Sequence, residues 1–239
     1  MNAEDTYKQW LADPGIDEDT RAELKAIEGN TAEIEDRFYQ DREFGTAGLR
    51  GVIGAGTNRM NRYTVARATK GLADYINAQE GGAERGVAIA YDSRHMSPEF
   101  ADISAAVLNA QGIKAYVFES LRPTPELSFA VRELHCITGI NITASHNPAE
   151  YNGYKVYWED GAQVTPPHDT GIMDCVNAVK SLTGIPAMDK EEALEKGLYI
   201  PMGKEMDDKY VETILTLVKE EEAIEEVADD LKIVYTPLH

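Results

Sequence analysis

The sequence predicts an α/β fold: a three-layer α/β/α domain with a mostly parallel, mixed sheet, followed by the start of a second, similar domain. Two observations carry this reading. Three short apolar runs, VAIAY (87–91), KAYVF (114–118) and CITGINIT (136–143), alternate with the helix-periodic segments SPEFADISAAVLNAQ and PTPELSFAVREL, and strand, helix, strand, helix, strand is the order of a parallel sheet layered by helices. Near the end of the chain a helical pattern, YVETILTLVKE, and a strand pattern, LKIVY, begin the alternation again.

The elements follow in order. EDTYKQWLAD and DEDTRAELKAIE have acidic starts and helix-spaced apolar residues, and AEIEDRFY continues them as a third short helix. NRYTVARATKGLADYINAQ is the longest amphipathic helix, and the glycine-rich EGGAERG separates it from the strand VAIAY. In SPE, Ser97 is expected as N-cap with Pro98 at the first helical position. CITGINIT leads directly into a loop, after which YKVYW reads as a strand carrying Lys155. Residues 1–185 are expected to form the first domain. Residues 186–204, with Pro186, Gly197, Pro201 and Gly203, read as a linker, and 205–239 as the incomplete start of a second domain. Fewer than ~40 residues rarely make an independent core, so the chain is expected to be a piece of a longer protein.

The formal net charge of -19 repels nucleic acid and anionic membrane surfaces, and both are excluded as partners. It would repel a phosphorylated metabolite too, unless cations gather locally. The acids concentrate late: residues 186–239 hold 15 Asp and Glu against 6 Lys and Arg, and EEEAIEEVADD (220–230) reads as a solvated helix face followed by a turn. No apolar run approaches the ~20 residues of a membrane helix, and MNAEDTYKQW lacks a signal pattern, so a cytoplasmic location is expected. Cys136 and Cys175 have no partner at metal-ligand spacing and read as buried free thiols.

In open α/β sheets the chemistry gathers beyond the carboxyl ends of the strands. Four loops qualify: YDSRHMS (91–97), ESLRPTPE (119–126), TASHNPAEYNGYK (143–155) and the glycine-rich FGTAGLRG (44–51). Three carry an arginine and the fourth carries His146 and Lys155, which supplies the local cations that the charge argument demands. Arg50 has the planar fork suited to phosphate, with Gly48 and Gly51 permitting close backbone approach. Taken alone, Ser145 is equally readable as a turn serine, His146 as a loop histidine and Lys155 as an edge lysine, while Arg94 and Arg122 have Asp92 and Glu126 at hand as ion-pair partners. Thr143 and Asn147 stand where a nucleophile elbow needs glycines, and no G-x-x-x-x-G-K-[ST] is present, so neither a serine hydrolase nor a P-loop kinase fits.

FGTAGLRG…GTNRMN, YDSR, RPTPE, TASHNPAEYNGYKVY and the final YTPLH together resemble the α-D-phosphohexomutase superfamily, in the phosphoglucomutase and phosphomannomutase branch that also holds phosphopentomutase-like members. The similarity spans almost the whole chain but only the first of that family's four domains and the opening of the second. It implies interconversion of sugar 1-phosphate and 6-phosphate through a phosphoserine and a bisphosphorylated sugar, with the sugar 1,6-bisphosphate as activator. By the resemblance Ser145 is the phosphoryl carrier, His146 orients it or assists proton transfer, Lys155 is a general acid/base and Arg50 holds phosphate. Thr46, Arg94 and Arg122 join Arg50 and Ser145 in binding substrate. The resemblance also implies Mg²⁺, which Ser145 would ligate through its phosphate. The family's three aspartates in D-G-D-x-D-R do not occur in this sequence, and Asp17 and Asp19 of DPGIDEDTR read as a helix start. The chain alone is therefore expected to be inactive. A non-catalytic phosphosugar-binding module and a phosphopentomutase are the alternative readings, and an aminosugar phosphomutase fits less well. Which sugar is used, and the oligomeric state, are not legible.

Overall fold

A computed structural model describes residues 2–41, 45 and 48–236. Three short helices open the chain, α1 (Ala3–Ala12), α2 (Glu18–Ala26) and α3 (Thr31–Phe38). Each begins on a side-chain cap: Asn2, Asp17 and Asn30 accept from backbone amides in the first turn, satisfying donors that a helix end leaves orphaned. Asp17 accepts from Thr20 N at 2.9 Å and from the Tyr63 hydroxyl at 2.6 Å, so the acids of DPGIDEDTR are structural, as the sequence indicates. Tyr7, Trp10, Phe38 and Tyr63 meet edge to face and form a small core of their own with Leu24 and Ile34.

Strand β1 (Leu49–Val52) precedes α4 (Arg62–Asn77), which starts on a reciprocal capping box between Asn61 and Thr64. After the short α5 (Gly82–Arg85) come β2 (Val87–Tyr91), α6 (Ser97–Ala110), β3 (Ala115–Phe118), α7 (Thr124–Glu133) and β4 (Thr138–Ile142). Strand β5 (Tyr151–Trp158), α8 (His168–Ala178), α9 (Lys190–Glu195), β6 (Tyr199–Met202), α10 (Lys204–Leu215) and α11 (Glu221–Val227) complete the order.

The sheet runs β1-β5-β4-β2-β3-β6. β4, β2, β3 and β6 are mutually parallel, and β5 is antiparallel to both its neighbours. Every residue of β4 and the first four of β2 are buried, because helices cover both faces. One core, centred on Leu72, Ile89, Phe100, Leu108 and Tyr154, lies on the side of α4, α6 and α8. The other, with Phe118, Leu127, Val131 and Met206, lies on the side of α7 and α10. The expected three-layer α/β/α architecture with a mixed, mostly parallel sheet is what the chain adopts.

Four local expectations are corrected. Residues 186–204 are not a bare linker: they hold α9 and the edge strand β6, with Ala115 opposite Tyr199 and Phe118 opposite Met202, and the edge position tolerates Pro201. LKIVY forms no strand, since residues 231–236 lie in no helix or strand. Met96, at φ 65°, caps α6 in place of Ser97. Ser97 is instead fully buried and donates its hydroxyl to Asp92 Oδ1 at 2.9 Å. Of the two free thiols, Cys136 is buried but Cys175 only partly so.

Candidate active site

The parallel strands end together at one edge of the sheet, and the loops 92–96, 119–123 and 143–150 emerge there. The chain leaves β4 through Thr143 and Ala144, both buried, and reaches Ser145, which is exposed and lies in the left-handed region at φ 56°. A non-glycine residue in that conformation costs energy and persists only when its surroundings impose it. Three contacts do so locally. Thr143 Oγ1 accepts from Ser145 N at 3.0 Å, Asn147 N donates to Ala144 O at 3.1 Å, and Thr143 N donates to Gly153 O at 3.1 Å. The turn presents the Ser145 hydroxyl outward, with His146 Nδ1 at 3.3 Å from it.

Register places two of the expected cations on one face. Arg50 lies opposite Gly153 across β1 and β5, and Lys155 stands two residues further along β5, opposite Asn141. Side chains two apart share a face, so Arg50 and Lys155 flank the gap left by Gly153. Arg50 is exposed and donates to Asn147 Oδ1 at 3.4 Å, which links β1 to the serine turn. Lys155 is half-buried. Burial and then the neighbouring Arg50 guanidinium push its pKa below the ordinary lysine value, while Asp92 works in the opposite direction. Gly48 brings β1 against β5: at φ 86°, a Cβ there would sit 2.0 Å from Tyr154 O, so only glycine fits.

Two expected substrate ligands have other work. Arg94 is buried, and its guanidinium donates to four carbonyls of the serine loop and the start of β5: Pro148 O (2.9 Å) and Tyr151 O (3.0 Å) through Nη1, Ser145 O (2.6 Å) and Asn147 O (2.6 Å) through Nη2. Asp92 Oδ2 lies 3.6 Å from its Nε. Arg94 therefore braces the serine loop from behind. Arg122 makes a two-pronged pair with Asp207 of α10, Nε and Nη2 each 2.7 Å from a carboxylate oxygen, and Glu126 lies 3.7 Å away. The ion pair weighed from the sequence is present, and its main partner lies 85 residues on. Burial and then the adjacent Asp207 raise Glu126 to about 7, with Arg122 offsetting only part, while the Arg122 hydrogen bonds hold Asp207 below the usual range. Thr46 lies outside the described residues, as do Phe44 and Ala47 of the same loop and the last three residues of YTPLH.

Sequence reasoning missed Asn152 and Asp207 as supporting groups and named Asp92 only as an ion-pair partner for Arg94. Asn152, fully buried, donates to His95 O and Ser97 Oγ at 2.9 Å each and locks the 92–97 loop to β5. Asp92 accepts from Arg94 N at 3.0 Å as well as from Ser97, and the D-x-R spacing was the available signal for such a local turn. Asp207 carried none. For a divalent cation the donor set does not close: among the described residues no three His, Cys, Asp or Glu side chains lie together in a metal-binding group. A Mg²⁺ at a phosphoryl group on Ser145 would need ligands from outside them. No helix among the described residues is long and apolar enough to cross a membrane.

Comparison with known proteins agrees with this fold. Residues 41–183 match the family described as phosphoglucomutase/phosphomannomutase, alpha/beta/alpha domain I. The chain is 39% identical over 205 residues to a phosphoglucomutase of Staphylococcus haemolyticus, covering 86% of this chain and 36% of the relative. It is 45% identical over 172 residues to a probable phosphoribomutase of Schizosaccharomyces pombe, covering 71% of this chain and 29% of the relative. Among solved structures, a putative phosphomannomutase from Thermus thermophilus superposes with a TM-score of 0.64 at 25% identity, over 76% of this chain and 37% of its own. The chain thus spans about a third of the length of the relatives it matches.

Proposed function

This chain belongs to the phosphoglucomutase/phosphomannomutase family, as its N-terminal α/β/α domain, and from that premise we propose that it carries the phosphoserine of a cytoplasmic sugar-phosphate mutase. The observation that supports this most directly is Ser145 itself: an exposed hydroxyl held in the left-handed conformation at the carboxyl end of β4, beside the face that Arg50 and Lys155 share. In the proposed cycle the P–O bond to Ser145 Oγ breaks as a hydroxyl oxygen of a sugar monophosphate takes the phosphoryl group, giving a sugar 1,6-bisphosphate and a free serine. The sugar hydroxyl must lose a proton and the departing serine oxygen must regain one. Lys155, with its pKa lowered, takes the first role, and His146, 3.3 Å from Oγ, is placed for the second. The bisphosphate then returns its other phosphoryl group to Ser145, and arginine neutralises the moving charge. Mg²⁺ belongs to the proposal as the neutraliser of phosphoryl oxygens, with Ser145 as a ligand only through its phosphate.

A pentose phosphate is the second reading, favoured by the 45% identity to the probable phosphoribomutase and by 42% over 156 residues to a human phosphopentomutase. Incubation with α-D-glucose 1,6-bisphosphate labelled in its phosphoryl groups tests the core of the proposal. Label is expected on Ser145, absent from Ser145→Ala, and discharged by a sugar monophosphate. A phosphosugar-binding module would bind the bisphosphate and leave the protein unlabelled. Glucose, mannose and pentose monophosphates offered to the intact protein separate the sugars.

A further inference from the structure

We propose that Arg94 is the positioning residue that aims the backbone N–H of His146 at the phosphoryl group on Ser145, making that amide a phosphoryl-oxygen donor. The inference rests on the phosphoserine reading above and adds residues that it leaves without a role. A trans peptide holds its C=O and N–H in one plane and pointing in opposite directions, and the cis peptide of the described chain lies elsewhere, at Pro166–Pro167. Where Arg94 draws a carbonyl inward, the following N–H must face outward. Of the four carbonyls it draws, Ser145 O turns out the His146 N–H, Asn147 O is followed by Pro148, which has none, Pro148 O turns out the Ala149 N–H, and Tyr151 O precedes Asn152 at the start of β5.

The amides around the hydroxyl are otherwise committed. Ser145 N donates to Thr143 Oγ1 and Asn147 N to Ala144 O, whereas His146 N donates to no group among the described residues. It is the amide directly after the serine, on the outward side, within reach of an oxygen bonded through Oγ. A donor held there in advance costs no reorganisation when charge develops. Burial gives the brace its stiffness: the Arg94 side chain is 2% exposed and its charge is opposed by Asp92. Lysine could not replace it, because one ammonium cannot fork to four carbonyls.

The test uses the intact protein labelled with ¹⁵N-histidine, the His146 amide being identified by its loss in His146→Gln. On phosphorylation by α-D-glucose 1,6-bisphosphate the wild-type His146 amide proton is expected to move downfield. Arg94→Lys, checked for a cooperative thermal transition, should lose that movement, and its transfer from Ser145 to sugar should slow by about 10²-fold with little change in KM, the size seen when one preorganised donor is removed. A phosphorylated wild type whose His146 amide does not move overturns the inference, even if Arg94→Lys does not fold. So does a folded Arg94→Lys that keeps both the shift and the rate, and either result leaves the phosphoserine reading standing. A wild type that takes no phosphoryl group on Ser145 overturns that reading and this inference with it.

Discussion

Replacing Glu126 by glutamine should change how the stability of this domain responds to pH. Glu126 and Asp207 converge on one guanidinium, and Asp207 holds both short contacts at 2.7 Å. Glu126, with its side chain 6% exposed and 3.7 Å from Arg122, is left in the worse position. Its carboxyl keeps a proton up to about 7, against an ordinary value of 4.5. The folded chain therefore binds a proton that the unfolded chain has released, and the associated stability is fully present below the unfolded value and lost as pH rises through about 7. From about pH 5.5 to about pH 8 that linkage amounts to about 2 kcal/mol. Glutamine does not titrate and retains an N–H for Asp207. Urea unfolding of wild type and Glu126→Gln at both pH values, compared as the difference between the two proteins, cancels the other titrating groups. The variant should gain about 2 kcal/mol relative to wild type on going to the higher pH. An offset that is the same at both pH values would mean that Glu126 ionises normally, and that the Arg122 cluster does not force two carboxylates into one cation's field.

Two further predictions concern the site. Lys155→Arg keeps the charge but cannot shed a proton near neutrality, so kcat of the intact protein should fall by about 10²–10⁴-fold; an unchanged kcat would assign Lys155 an electrostatic role. Gly153→Ala puts a Cβ 2.6 Å from Thr143 O and 2.9 Å from Leu49 O. Neither backbone atom can swing away, so a loss of about 1–3 kcal/mol in stability is expected by thermal unfolding, and a melting temperature equal to wild type would contradict the close packing of β1, β5 and the serine turn.

What was legible in the sequence was local. VAIAY, KAYVF and CITGINIT announce β2, β3 and β4 because buried parallel strands are apolar runs, and the helices between them carry their own periodicity and a proline in the first turn. The antiparallel sense of β5 was also within reach: the eight residues 143–150 are too few for the dozen or more that a crossover between parallel strands requires. Strands β1 and β6 were missed because LRGV and YIPM contain a glycine and a proline, and only pairing with β5 and β3 makes them strands. The same division runs through the site. The serine loop and its companions announced themselves as contiguous motifs, whereas Arg122 and Asp207 are joined by the packing of α10 beside α7, which no spacing along the chain encodes.

Counting arginines in loops also overstated the positive charge available to an anion. Of the three, Arg122 is committed to Asp207 and Arg94 to four carbonyls behind the serine turn, while Arg50 stands on the same face of β1 and β5 as Lys155 and donates to Asn147 Oδ1. A phosphoserine brings about -1.5 to -2 charges into a chain already at -19. Arg50 balances roughly half of that, and Lys155 balances the rest only while protonated, which its lowered pKa makes less secure. A base that must be neutral to accept a proton cannot also be the counter-charge at that moment. Under the proposed function the rest would fall to groups that do not titrate: the Mg²⁺ of that proposal and, within this chain, the backbone dipoles of the serine turn, oriented by the buried Arg94. On this account the arginine of the YDSR loop serves the anion without touching it, by turning the carbonyls of the loop away from the place where the phosphoryl group sits.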